Sequence, residues 1–386
     1  VRIAQLANFV GPASGGMKTA VQTLGAGYAA AGVPRLLVVP GPRDRRTTTE
    51  HGDVVQLRAP RVGGGYRLIV EPWRVGEVLE QFAPTSVEVS DKATLWPVAH
   101  WARRRGVRSV LFSHERLDAM LSLRTGREAG TPGIAAPVSV LNRLLARSFD
   151  EIVVTSEFAR RELQEVAGAA GTRLHRVALG VDLDTFAPPE ARDPRGRVLR
   201  LVHAGRLSRE KSPHLAVGAA VALHRRGVAV HLDVYGTGPH RAELVELAGG
   251  APVTFHGHVA GRRALAEHLG RADVALSVCP GETFGLAVLE ALACGTPVVT
   301  ASYGGARELV DDVCGAWGRP VPDDLADAVL ALAARPEAVA RPAARARAEL
   351  FAWDRTVHDM LAVHAGLTPA ARDGRGDEPG AAARTA

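Results

Sequence analysis

Two glutamates eight positions apart, Glu282 and Glu290, carry the strongest chemical signal in the chain. They bound the stretch Glu282-Thr283-Phe284-Gly285-Leu286-Ala287-Val288-Leu289-Glu290, which follows an apolar run and precedes Ala293-Cys294-Gly295-Thr296-Pro297. A carboxylate in the loop can accept hydrogen bonds from sugar hydroxyls. One about two helical turns further on, near the same face, can take both hydroxyls of a ribose. Between them, the amides of Phe284, Gly285 and Leu286 would point out of a helix N-terminus, where phosphate binds. A second signal is His203-Ala204-Gly205-Arg206-Leu207-Ser208-Arg209-Glu210-Lys211. Arg206 offers a planar fork and Lys211 a mobile point charge, a pair suited to neutralising a departing diphosphate. A third is Ser14-Gly15-Gly16-Met17-Lys18-Thr19, where two glycines let a ligand approach the backbone and open a helix. Its spacing is not that of a Walker A loop or a dinucleotide fingerprint.

These loops need elements to hold them. Short apolar runs at Arg2–Ala7, Arg35–Val39, Val54–Arg58, Ser86–Val89, Ser109–Ser113 and Glu151–Thr155 read as strands. Helical patterns such as Gly16–Ala30, Trp96–Arg105 and Val138–Phe149 alternate with them. The stretch Asp182–Arg197, with Pro188, Pro189 and Pro194, reads as a linker. A second alternation runs from Leu199 to Ala301, with strands before each of the two later loops. Helical patterns follow at Ala326–Ala334, Ala338–Phe351 and Trp353–Gly366. The pattern predicts an α/β protein of two doubly wound, Rossmann-like domains in tandem, with ligands at the carboxyl ends of the strands. The divisions are 1–180, a linker at 181–197, 198–350, a helix at 351–366, and a disordered tail at 367–386.

Taken in order, these residues carry a family resemblance over roughly residues 1–365. Besides the three loops it includes Thr155-Ser156-Glu157-Phe158-Ala159-Arg160-Arg161, Leu179-Gly180-Val181-Asp182-Leu183-Asp184-Thr185-Phe186, Tyr235-Gly236-Thr237-Gly238-Pro239, Phe255-His256-Gly257 and Trp353-Asp354-Arg355. The chain resembles retaining GT-B glycosyltransferases of family 4. Ser113-His114-Glu115-Arg116-Leu117-Asp118 and Ala4-Gln5-Leu6-Ala7-Asn8-Phe9 are similar to actinobacterial GDP-mannose-dependent α-mannosyltransferases acting on lipid acceptors. The resemblance implies a GT-B fold with a central cleft and a C-terminal helix crossing back to the first domain. It implies that Arg206 and Lys211 hold the donor diphosphate, Glu290 the ribose, and Glu282 the donor-sugar hydroxyls. His258 and Val259 fall where backbone groups bind the base. Gly15 and Gly16 fall in the donor-binding glycine loop, and Gly16 would let the first domain close over the diphosphate. His114 matches an active-site histidine contacting the donor sugar. Asp182-Leu183-Asp184 looks like a metal-binding DxD, but it lies in the interdomain segment; no metal or other cofactor is expected beyond the nucleotide sugar as co-substrate.

Charge bears on the partners. The net charge is +6, yet residues 1–125 carry 17 basic and 10 acidic side chains, so the remainder is slightly negative. Only three of the 47 basic residues are lysine, at 18, 92 and 211. A basic first third favours an anionic acceptor or membrane surface over nucleic acid. Tyr66, Arg67, Trp73, Arg74 and Arg103–Arg105 form an aromatic–basic cluster that suits lipid headgroups or, equally, an ordinary basic surface around a buried Trp73. Lys92 could touch an acceptor or simply begin a solvated helix. Three cysteines without metal-ligand spacing suggest a reducing compartment. No apolar span of about 20 residues is present, so a cytoplasmic protein, peripheral on the inner face of the membrane, is expected. The expected function is transfer of a hexose, mannose from GDP-mannose, to a lipid or glycoconjugate. A UDP-sugar-dependent enzyme with a soluble acceptor, and a non-catalytic nucleotide-sugar-binding module, stay open as alternatives.

Overall fold

A computed structural model describes residues 1–8, 15–62, 66–127 and 130–369. Most of the tail expected from residue 367, and Phe9 and Ser14, lie outside the described residues.

The first domain contains β1 (Ile3–Leu6), α1 (Gly16–Ala30), β2 (Arg35–Gly41), β3 (Arg45–Thr49) and β4 (Gly52–Arg58). It continues through α2 (Pro72–Phe82), β5 (Ser86–Val89), α3 (Pro97–Arg104), β6 (Arg108–Ser113) and α4 (Leu117–Thr125). It ends with α5 (Pro132–Ser148), β7 (Glu151–Val154), α6 (Glu157–Ala170) and β8 (Arg173–Arg176). The second domain contains β9 (Leu199–Ala204), α7 (Pro213–Arg225), β10 (Val230–Tyr235), α8 (Arg241–Ala248), β11 (Val253–Gly257) and α9 (Arg262–Arg271). There follow β12 (Val274–Ser277), α10 (Leu286–Ala293), β13 (Val298–Ala301), β14 (Gly315–Gly318), α11 (Pro322–Ala333), α12 (Glu337–Glu349) and α13 (Trp353–His364).

The sheets run β3-β4-β2-β1-β5-β6-β7-β8 and β11-β10-β9-β12-β13-β14. Every pairing is parallel except β3 with β4. Parallel strands are covered on both faces, so they are written as apolar runs rather than alternations. Thus all of Ile3–Leu6 and Val298–Ala301 are buried. Proline stands at the first turn of α2, α3, α5, α7 and α11, where its missing N–H costs nothing. Strand β3 has no apolar face: all five residues are exposed, and Arg45 and Arg46 blunt an open sheet edge.

Strand order reverses beside β1 and β5 in one sheet and beside β9 and β12 in the other. Such switch points open crevices at the strands' carboxyl ends. The loops after β1, β9 and β12 are the three loops singled out in the sequence.

Residues 182–197 form no helix or strand and lie along the second domain. Arg192 pairs with Asp273 and, at 2.7 Å, with Glu337, which also accepts the Arg195 N–H at 3.1 Å. The two chain crossings meet at Val181 and Ala352, where the Val181 N–H donates to Phe351 O at 2.8 Å. Gly180 is needed there: a Cβ would stand 2.5 Å from the Trp353 backbone. Helix α13 then crosses back onto α1. Met360 and Val363 are fully buried, each contributing about 1.5–3 kcal/mol. Its last residue, His364, hydrogen-bonds with Ser86 Oγ at 2.7 Å and with the buried Glu88 at 3.0 Å, which also accepts from Tyr28.

Candidate active site

Loop geometry brings the cations to one end of the second sheet. After β9 the chain turns at Gly205 and Arg206, makes a 3-10 turn at Arg209–Lys211, and enters α7 through Ser212 at φ 48°. Lys211 Nζ lies 2.7 Å from Glu282 Oε2. Burial works against its charge, but Glu282 and its neighbours outweigh that and raise the ammonium above its ordinary pKa. The Lys211 side chain keeps 43% of its exposure, so water screens part of this attraction. Arg206 reaches across the cleft and donates to Tyr66 Oη at 3.0 Å. Arg209 points elsewhere, to His240 Nε2 at 3.1 Å.

Beside this loop, α10 begins at Leu286 behind Gly285, whose φ of 107° an L side chain resists. Neither a side-chain cap nor an acidic residue occupies its first turn. The same holds for α1, whose cap position is Gly15. The two helix starts face each other: a Cβ on Gly16 would stand 3.2 Å from the Leu286 side chain. Two uncapped N-termini from opposite domains meet here, with Lys211 paired to Glu282 on the loop that leads into α10, a point that attracts anions.

Glu290 lies on the same helix, about one turn beyond its start. Burial raises its carboxyl pKa to about 7; Arg262 pulls it down and Asp182 pushes it up. Asp182 itself accepts the Thr185 N–H at 3.0 Å and lies 3.5 Å from Arg262. Asp182 of the DxD sequence thus holds a turn close to Glu290. Among the described residues no group of three His, Cys, Asp or Glu is arranged for a metal ion. His258 is exposed, and Val259 is half-buried in the loop after β11.

On the facing wall His114 directly follows β6. It stacks on Phe112 with ring centroids 4.2 Å apart and hydrogen-bonds with Ser90 Oγ at 3.1 Å. Burial lowers its pKa to about 4, against a raising influence from Glu88, so the imidazole is neutral at pH 7. Lys92 is neither solvated nor free: it donates to Glu115 O at 2.6 Å and pairs with Glu162 at 3.2 Å. It thereby fixes the loop that follows His114. Lys18 is half-exposed on the first turn of α1.

Several contacts escaped sequence reasoning. Thr283 Oγ1 accepts from the Arg116 N–H at 3.1 Å, and Thr283 O accepts from Ser156 Oγ at 2.5 Å. Glu308 reaches the start of α6. Tyr66 lies on Arg206 rather than with the surface arginines. Trp73 is 62% exposed, not buried. Much of the basic cluster is already engaged: Arg74 with Asp44 and Glu71, Arg105 with Glu80, and Arg103 with backbone carbonyls. The three cysteines are buried thiols without disulfides.

Two facing Rossmann-like domains, with cations and bare helix starts between them, define the GT-B class of glycosyltransferases. The sequence agrees. Residues 15–180 match the family described as "Glycosyl transferase 4-like domain", and residues 199–335 that described as "Glycosyl transferases group 1". The chain belongs to this glycosyltransferase family. It is 41% identical over 385 residues to the GDP-mannose-dependent alpha-(1-6)-phosphatidylinositol dimannoside mannosyltransferase of Mycobacterium tuberculosis, covering 97% of this chain and 98% of that relative. It is 36% identical over 251 residues to a D-inositol 3-phosphate glycosyltransferase of Geodermatophilus obscurus, covering 59% of this chain and 53% of the relative. Sucrose-phosphate synthase from Thermosynechococcus elongatus shares the fold, with a TM-score of 0.76 at 20% identity over 95% of this chain and 98% of that one. Among the described residues no helix is long and apolar enough to cross a membrane.

Proposed function

We propose that this enzyme transfers mannose from GDP-mannose, with retention of configuration, to a hydroxyl of a mannosylated phosphatidylinositol or similar anionic glycolipid. The observation that supports the site reading is that the bare starts of α1 and α10 meet across the cleft at Gly16 and Leu286, with the Lys211–Glu282 pair on the loop that leads into α10. Near-full-length identity of 41% to the mycobacterial mannosyltransferase supports the donor and acceptor class.

In this reading Arg206, Lys211 and the amides of Phe284, Gly285 and Leu286 hold the diphosphate. They stabilise the charge that grows as the sugar leaves, the work a metal would otherwise do. Gly15 and Gly16 allow the first domain to close over it. Glu290 takes the ribose hydroxyls, Glu282 those of the sugar, and backbone groups at His258 and Val259 the base. Neutral His114 can both donate to and accept from a sugar hydroxyl. The C1–O bond to phosphate breaks, the acceptor oxygen bonds to C1 on the same face, and the acceptor proton passes to the departing phosphate oxygen. Closure excludes water and suppresses hydrolysis. Val70 and Trp73, 47% and 62% exposed on the basic domain, support seating on an anionic membrane.

A panel of nucleotide sugars tests the donor. GDP-mannose is expected to give the fastest transfer and the largest thermal stabilisation; preference for a UDP-sugar overturns the proposal. Arg206→Ala and Lys211→Ala are each expected to lower kcat about 100-fold with an unchanged melting temperature. Full activity in either sinks the diphosphate assignment.

A further inference from the structure

Helix α6 of the first domain starts with its cap shared between domains. Ser156 is its own N-cap, accepting from the Ala159 N–H at 3.0 Å. The next two donors, the N–H groups of Glu157 and Phe158, cross the cleft to the two oxygens of Glu308, at 2.8 and 2.7 Å. A helix N-terminus in one domain is therefore capped by a carboxylate from the other. The bonds are charge-assisted, and the helix dipole favours an anion there.

Glu308 is tied to the catalytic loop through its own backbone. It lies on the 3-10 turn Gly305–Leu309. The Gly305 N–H donates to Glu282 O at 2.7 Å, and a Cβ on Gly305 would fall 1.9 Å from Thr283 O. Arg347 fixes the far end by donating to Glu308 O at 3.0 Å and Leu309 O at 2.9 Å. The loop bearing Glu282 is in turn joined to the opposite wall at Arg116, two residues beyond His114.

We infer that Glu308 is a positioning residue: by capping α6 across the cleft it holds the closed arrangement and sets the Glu282 loop against His114. It is not among the residues proposed to hold donor or acceptor. On opening, its two bonds exchange for bonds to water, so the cap biases a reversible closure rather than locking it. The effect on catalysis rests on the proposed role of Glu282; the effect on closure does not.

Three variants test this. Glu308→Ala removes the acceptor, and Glu308→Gln keeps one oxygen. Glu157→Pro removes a donor from the opposite side, at the first helical position, where proline is tolerated. It also removes an exposed ion pair with Arg160, worth little. Small-angle scattering of the full chain without nucleotide is expected to show a larger radius of gyration for Glu308→Ala than for wild type. Its kcat is expected to fall about tenfold or more, with GDP affinity within about twofold and hydrolysis raised relative to transfer. Glu157→Pro should act in the same direction and add little to Glu308→Ala, while Glu308→Gln recovers part of the loss. Unchanged scattering and kcat in Glu308→Ala overturns the inference. So does full additivity with Glu157→Pro, or a loss of kcat matched by loss of GDP binding and of the folded state. If wild type fails to use GDP-mannose, the donor proposal fails and scattering alone decides the cap.

Discussion

Glu290 and His114 are shifted in opposite chemical senses by one cause, burial, and this separates their pH behaviour. A carboxyl whose folded pKa is raised from 4.5 to about 7 keeps a proton that the unfolded chain releases. Its contribution to stability is therefore lost as pH rises between about 4.5 and 7, by up to roughly 3 kcal/mol. Glu290→Gln is expected to flatten that slope in denaturant titrations of the free enzyme. If the ionised carboxylate takes the ribose, GDP affinity should weaken about fivefold from pH 7 to pH 6 in wild type and stay level in Glu290→Gln. His114, lowered to about 4, cannot supply that limb, so His114→Ala should reduce kcat and leave the pH dependence in place. The candidate site residues could be singled out from the sequence because their types are restricted and their spacing is local. The role of Tyr66 could not be: its partner Arg206 lies 140 positions away, and the adjacent Arg67 grouped it with the surface arginines.

Among the elements, the turns matter most. The 3-10 turn Gly305–Leu309 supports the Glu282 loop from beneath, and Gly305 has no room for a side chain. Gly305→Ala is expected to push that loop away, lowering kcat at least about tenfold while far-UV circular dichroism stays native. Elements with a strong pattern were readable, as for α1, β5 and β9. Those without one were not. Strand β3 is wholly exposed and antiparallel, and α4 has no fully buried residue, so neither shows a periodic apolar face. Both are held by neighbours rather than by their own sequence: β3 pairs with β4, and α4 lies on the Lys211 turn, with Leu123 filling the space above Gly281.

At the scale of the whole molecule, α13 binds the two ends of the chain together. The apolar cluster around Trp353, Met360 and Val363 also contains Leu24 and Tyr28 of α1 and Val288 and Leu289 of α10. Met360→Ala is expected to cost about 2–5 kcal/mol in chemical denaturation. His364→Ala should cost about 1–3 kcal/mol, because Glu88 stays buried with one partner fewer. The proposed membrane seating belongs to the whole first domain. Wild type is expected to float with anionic liposomes at low salt, and Trp73→Ala to float less; no flotation at all argues against a peripheral enzyme.

Sequence alone determined the tandem α/β architecture, the candidate loops at the strand ends and a C-terminal helix, whose return to the first domain was implied only by the family resemblance. It could do so because strand runs, glycine turns and helix faces are local patterns, set within a few residues. Only the tertiary structure decided what meets across the cleft: Tyr66 with Arg206, Ser156 and Arg116 with Thr283, Glu308 with α6, and Gly16 with Leu286. Those partners lie far apart along the chain, and each half of a contact reads by itself as an ordinary loop or helix start. Their pairing follows from how two separate sheets are oriented by the crossings at Val181 and Ala352, which no periodicity in the chain encodes.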